Sequence, residues 1–261
     1  MLFAELTSPE IGRLAPDRVA ILPLAAVEQH GQHLPLITDT ALVTEVARRV
    51  ESALPDEVLL LPTFWAGNSH HHIKFPGTMS LTSETYIRVL VDLIECLLSA
   101  GSRRIFLLNG HGGNYIPFNE ALYRVAMAHR DDNPRPWIAA QNYWSLAGPQ
   151  LAAQDFMDSP RLTHACEYET SMMLALREDL VKMDLARGSH PTRNSKFYDP
   201  ILYTPPLVSV VETYEAVTPA GALGSPEKAT AEKGRKLFDL ITPPVVEFVR
   251  EFATWEFTRP E

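Results

Sequence analysis

Cysteine is almost missing from this chain. Cys96 and Cys166 are the only two among 261 residues, too few for a disulfide framework, and the expectation that follows is a reducing, cytoplasmic setting. Long apolar runs are missing as well. None approaches the roughly 20 residues that a bilayer-spanning helix needs, and the first residues carry no apolar stretch behind a basic start, so no export signal and no membrane partner are expected. Base is scarce beside acid: Lys and Arg total 23 against 32 Asp and Glu, and the net charge of −9 would repel a phosphate backbone, which argues against nucleic acid as a partner. No Gly-x-Ser-x-Gly elbow, dinucleotide glycine spacing or Walker lysine occurs. Neither cysteine has the electropositive surroundings that activate a thiol.

What is present is a strong alternation. Four apolar runs, at 19–24, 58–61, 105–108 and 137–140, read as buried strands, with helical spacing over 40–54, 82–100 and 114–129 between them. This predicts a three-layer α/β/α sandwich with a mostly parallel sheet, right-handed crossovers and ligands gathered at the carboxyl edge. With 46% apolar residues, the whole chain, 1–261, is expected to form one such domain. A short entry helix at 8–14, a long Pro-, Ser-, Asn- and Arg-rich loop at 187–206, a late strand at 207–213 and a closing helix at 226–253, interrupted near Pro243 and Pro244, complete the reading.

Chemistry concentrates at the strand ends. The stretch EQHGQHLPLITD follows the first strand and supplies Glu28, His30 and, as the next helix begins, Asp39. In extended backbone, residues two apart point to one face, so Glu28 and His30 can converge on a single point, and a carboxylate such as Asp39 has two oxygens with which to bridge two ions. After the second strand come His70, His71 and His72, beside the turn residues Pro76 and Gly77 and the aromatic Trp65. After the third comes NGHGGN, where glycines let the chain turn sharply and present His111. His164, Glu167 and Glu169 then lead an apolar helix, and three ionisable groups in that position are costly when buried unless a partner such as a metal compensates them.

Carboxylate and imidazole sets without thiolate suit zinc, manganese or iron. Two divalent ions per chain, zinc first and manganese or iron as alternatives, would hold a hydroxide between them and polarise a carbonyl, with His164 or Glu167 passing a proton to a departing nitrogen. The expected substrate is a small polar molecule walled by His72, Gly112, Gly113 and Trp144, with Trp65, His70, His71 and the 187–206 loop further out.

Taken together, these motifs resemble the creatininase family of metal-dependent amidohydrolases. EQHGQHLPLITD is similar to that family's opening metal motif, FPGT to its substrate-side loop, NGHGGN to its third motif, HACEYETS to HAGxxETS, and GSPEKATAEKG to its closing helix. The resemblance implies that Glu28 and His111 bind one metal, His30 the other, and Asp39 both. It gives His164 the catalytic role, makes Trp144 an aromatic that closes over substrate, and implies a homo-oligomer of hexameric size. Creatinine-cleaving members place a further metal-binding glutamate where this chain has Gly113, so Glu169, with Glu167 as alternative, is expected to complete the second metal. They also carry a second tryptophan near Ser159, Pro160 and Arg161. Cys166 replaces a usual glycine, and His71 stands where the family often has glutamate. The activity implied is hydrolysis of an amide, cyclic amide or formamide bond outside proteins. Trimming of a cofactor-precursor peptide and metal or ligand binding without turnover are the alternatives.

Overall fold

Each strand of the sheet is apolar on both sides, and the reason lies in what covers them. In the computed structural model, which describes residues 1–160, 162–190, 195, 197, 208 and 210–256, four strands pair in parallel. They are β1 (Val19–Leu24), β2 (Val58–Leu60), β3 (Arg104–Asn109) and β4 (Trp137–Asn142), in the order β2-β1-β3-β4. Side chains alternate across the pleat. Val19, Ile21, Val58, Leu60, Phe106 and Leu108 enter one core, while Ala20, Leu22, Leu24, Ile105 and Leu107 enter the other.

The helices divide accordingly. After the entry helix α1 (Ser8–Leu14), α2 (Thr38–Ala53) covers the first face, and α3 (Ser83–Ser99) and α4 (Tyr115–Ala128) cover the second. Two short helices, α5 (Tyr143–Leu146) and α6 (Gly148–Ala153), precede α7 (Glu167–Arg177), and α8 (Tyr214–Val217) and α9 (Ala231–Phe252) follow; α7 and α9 pack together over α2 on the first face. The chain therefore moves one way from β1 to β2 and the other way from β2 to β3 to β4. That reversal makes the carboxyl ends of β1 and β3 the switch point at which ligands settle in such sheets. No helix among the described residues is long and apolar enough to cross a membrane.

Two expectations fail. The closing helix runs through Pro243 and Pro244 without a break, because its stripe of Leu237, Phe238, Ile241, Val245, Val249 and Phe252 is buried along its whole length and that burial outweighs two missing N–H donors. The strand at 207–213 is not formed by its described members. After them the chain makes the single turn α8 instead, which lays Tyr214 across the histidines at the sheet's edge. Most of the 187–206 loop lies outside the described residues.

Between α7 and α9 the buried carboxylate of Glu167 meets a part-buried lysine, a pair that the sequence did not reveal. Lys233 Nζ donates to Glu167 Oε1 at 2.6 Å and also to Asp158, and Glu167 accepts the backbone N–H groups of Asp158 and Ser159 at 3.1 and 2.6 Å. Removing the lysine leaves a fully buried carboxylate with two amide donors and no countercharge. Lys233→Ala is expected to cost about 3 kcal/mol, which at this chain length lowers Tm by roughly 6–10 °C in a thermal melt. A change under about 2 °C would contradict it.

Candidate metal centre

Glu28 follows β1 after three residues, and Met79 and Leu36 hold its stretch by backbone pairing. His30 comes two residues later, as alternation predicts. Asp39 lies in the first turn of α2, where exposed N–H groups favour a carboxylate. His111 leaves β3 in a turn fixed by three asparagines: Asn109 Nδ2 donates to the His111 carbonyl and to Asn142, and Asn114 Nδ2 donates to Asn109 and to the carbonyl of Ala25. The ends of β1, β3 and β4 are thus tied to one another. Glu169 enters from the first turn of α7, its carboxylate taking the N–H of Ala165, whose φ of 51° turns the chain back beside His164.

These groups converge. Asp39 Oδ1 lies 3.0 Å from His30 Nε2 and Asp39 Oδ2 3.0 Å from His111 Nδ1, and Glu28 Oε2 lies 3.3 Å from His111 Nδ1. Yet His30 Nε2 and Asp39 Oδ2 have no directed hydrogen bond and are both buried. Short distances without hydrogen-bond direction are what donor atoms aimed at a common point between them produce. Three imidazoles repeat the pattern from behind: His30 Nδ1 lies 3.2 Å from the Glu28 carbonyl, His111 Nε2 3.1 Å from the Asn68 carbonyl and His164 Nε2 2.9 Å from the Gln29 carbonyl. Each donates its far N–H to backbone and turns its near nitrogen toward carboxylates, the arrangement that orients metal-ligating histidines. Potential ligand atoms fall into three overlapping sets, Glu28 with His30 and His164, Glu28 with His71 and His111, and His30 with Asp39 and Glu169. The residues fit divalent cations.

Charge points the same way. Burial opposes a proton on His30, but Asp39 overcomes it and lifts the pKa to about 10; burial likewise opposes a proton on His111, and Glu28 and Asp39 raise it well above the usual imidazole range. Burial would raise Asp39, and His30 with His111 instead holds it below the usual carboxylate range. Glu169 is pushed up to about 7 by burial, against the pull of His30. Protons on His30 and His111 therefore fill the role of cations in the metal-free chain. His164 is held well below its usual value by burial and then by His30, so it stays neutral. Cys166, raised to about 12 by burial, is no nucleophile.

His33 and His71 are both lowered to about 4, by burial first and by His30 and His111 respectively next. An unfolded histidine takes up its proton near pH 6.5 while these two resist until about pH 4, so the stability that depends on their neutrality is complete above pH 6.5 and is lost below it. The metal-free protein is expected to lose about 1–2 kcal/mol per imidazole between pH 7 and pH 5, seen as a falling denaturant midpoint. A flat profile would argue against neutral burial.

The expected residues are distributed unevenly. Glu28, His30, Asp39, His111, His164 and Glu169 meet. His72 meets them too, but its Nε2 lies 3.4 Å from Glu28 Oε1 and its Nδ1 2.7 Å from Gln29 Nε2, so it supports the glutamate rather than facing open space. Gly113 borders the cluster, and Gly112 beside it is exposed. Glu167 points into the Lys233 pair, because the first turn of α7 puts it on the face toward α9 and Glu169 on the face toward Asp39. Trp144 is 2% exposed, edge-on to Tyr143 within the larger core. Gln29 and Tyr214 carry work the sequence did not single out: Gln29 Nε2 reaches Gly221 O, His72 and His164, and the Tyr214 ring lies 3.8 Å from that of His72 and 4.6 Å from that of His164. The position of Gln29 between two ligand candidates was the available signal. For Tyr214 there was none, since it arrives from 50 residues beyond His164.

With this geometry in view, comparison with known proteins is decisive. The Creatininase family profile, described as creatinine amidohydrolase, matches residues 4–249. The chain belongs to the creatininase family. A creatinine amidohydrolase of Pseudomonas putida is 31% identical over 91% of this chain and 90% of its own length. A mycofactocin precursor peptide peptidase of Mycobacterium ulcerans (strain Agy99) is 32% identical over 90% of this chain and 84% of its own. A crystal structure of creatinine amidohydrolase superposes with a TM-score of 0.79 at 29% identity, covering 96% of this chain and 97% of that one. Similar solved structures include a mutant creatininase of Zn-Zn type (26% identity, 97% of this chain and 98% of that one, TM-score 0.79) and a manganese creatininase (26%, 97% and 99%, 0.79). The chain is a hydrolase of the creatininase family with a family-type α/β fold.

Proposed function

We propose that this creatininase-family chain is a two-metal amidohydrolase acting on a carbon–nitrogen bond of a small polar substrate. The observation that carries the reading is Asp39, whose two oxygens lie between His30 and His111 with Glu28 and Glu169 alongside. Glu28, His111 and Asp39 would hold one ion and His30, Asp39 and Glu169 the other. Bound divalent ions supply a Lewis acid for the carbonyl and a water that ionises near neutral pH. Zinc is the first candidate, with manganese and iron behind it.

The chain's own residues handle protons. Gln29 has two amide hydrogens, directed at Gly221 O and His72 Nδ1, so His164 Nε2 keeps its proton and donates to the Gln29 carbonyl. This leaves the lone pair of His164 Nδ1 facing Glu28 at 3.7 Å. His164 accepts a proton there during attack and returns it to the leaving nitrogen. Tyr214, over His72 and His164, shields that nitrogen from bulk water.

Peptide trimming is the second reading, favoured by the mycofactocin peptidase relative, which matches as well as the creatinine amidohydrolase does. The test is a metal-loaded screen against cyclic amides, formamides and short peptides, read by release of amine, formate or amino acid. If enzyme with a demonstrably full site cleaves none of these, the hydrolytic reading gives way to one of metal or ligand binding alone.

A homo-oligomer belongs to the same proposal. Ile116, Tyr123 and Met127 lie 68%, 63% and 45% exposed along one stripe of α4, a surface that suits a second copy better than water. Light scattering should return a multiple of 29.2 kDa, and Tyr123→Glu should lower the mass; a monomeric wild type refutes this part.

A further inference from the structure

Gly113 and His71, forty-two positions apart in the chain, meet in space. By the resemblance drawn from the sequence, Gly113 falls where creatinine-cleaving members carry a glutamate and His71 where the family often has one. A Cβ built on Gly113 would lie 2.5 Å from His71 Cε1, 2.5 Å from His111 Nε2 and 2.2 Å from the Asn68 carbonyl oxygen. A side chain at 113 would press on the Asn68 backbone first and on both the His111 and His71 rings.

His71 is placed like a ligand. Its ring is nearly parallel to that of His111, 13° between planes and 5.5 Å between centroids, and one of its nitrogens lies within 4.8 Å of ligand atoms on both Glu28 and His111. Among the described residues neither ring nitrogen of His71 has a hydrogen-bond partner, whereas His72 beside it has both nitrogens engaged. A half-buried imidazole with both nitrogens unengaged among the described residues, beside a carboxylate and another imidazole, is free to take a cation they share.

We propose that His71 is a further ligand of the ion held by Glu28 and His111, on the side of the cluster that Gly113 borders. The proposal rests on the two-metal reading above. An imidazole in place of a carboxylate removes one negative charge from the site and adds a nitrogen donor, which shifts its preference from manganese toward zinc. The set of His30, Asp39 and Glu169 does not include His71, so the effect falls on one ion and spares the other.

The experiment titrates metal-free wild type and His71→Ala with zinc and with manganese against a chromophoric chelator, and records the absorption of the cobalt-substituted forms. Wild type should bind two ions. His71→Ala, with unchanged circular dichroism, should keep one at wild-type affinity, bind the other about 10-fold or more weakly, and lose the cobalt absorption contributed by one nitrogen ligand. His71→Glu should restore the second ion with the preference moved toward manganese. If His71→Ala keeps both affinities and the same cobalt spectrum, or if His71→Glu prefers zinc as strongly as wild type, the proposal is overturned. If wild type binds no ion, the two-metal reading itself fails and takes this proposal with it.

Discussion

Asp39→Asn is expected to yield a folded protein that retains neither metal ion and has no measurable turnover. In the proposed centre the two carboxylate oxygens of Asp39 would be shared by both ligand sets, being 3.0 Å from His30 on one side and 3.0 Å from His111 on the other. Asparagine keeps the shape and one acceptor oxygen but presents N–H₂ where the second oxygen was, and an amide hydrogen cannot face a cation. Loss of a direct, bridging ligand should weaken both ions by more than the roughly 10–100-fold that changes outside the ligand shell produce. Elemental analysis after gel filtration reads this directly. The fold should survive, because β1, β3 and α2 are held by the apolar residues of both cores and not by the cluster. Retention of two ions by Asp39→Asn would show that the bridge is elsewhere.

How much of this could be read from the chain alone depends on how far apart the interacting partners lie. Glu28 and His30 were legible because both sit in one extended stretch, where a period of two decides the face. Asp39 was legible because a helix begins there, and His111 because glycines at a strand end leave few other reasons for a buried histidine. The sheet was legible from its runs, which are apolar on both faces as parallel strands must be. What could not be read is what depends on distant partners. Glu167 and Glu169 are equivalent in sequence, two residues apart at the head of one helix, and only Lys233, 66 positions later, claims the first and leaves the second for the cluster. Trp144 resembled a substrate-side aromatic by motif, but Tyr143 and the packing of α5 against α9 bury it. The Pro243-Pro244 pair was read by its local rule, and the buried stripe of α9 overrides that rule.

The position of Gln29 shows how the site's proton chemistry is built into the fold. Gly221, at φ 80°, comes so close that a Cβ there would lie 2.0 Å from Gln29 Oε1, so the turn before the closing segment is shaped around this amide. Gln29 Oε1 takes the Gly31 N–H at 2.9 Å and its Nε2 reaches Gly221 O at 3.0 Å. One side chain thereby joins the stretch after β1 to the turn at Gly221 and sets which nitrogen of His72 and of His164 carries a proton.

His164→Ala should lower kcat by about 10²- to 10⁴-fold while metal content stays at the wild-type level. His164 lies within reach of Glu28 and His30, its ring 4.3 Å from that of His30, so it could serve either as a ligand or as the group that moves a proton. As a ligand, its loss would release an ion and activity would fall because metal is missing. As the proton carrier, its loss leaves both ions in place and removes only the route from nucleophile to leaving nitrogen. Glu28, Asp39 and Glu169 would already provide each ion with a carboxylate, which favours the second role, while the neutral state that burial and His30 impose on His164 is one that either role requires. A substrate whose leaving amine is a weaker base should suffer less from His164→Ala, because less protonation is needed before the bond breaks. Equal losses across such a series, or a fall in metal content that tracks the fall in rate, would return His164 to the ligand set.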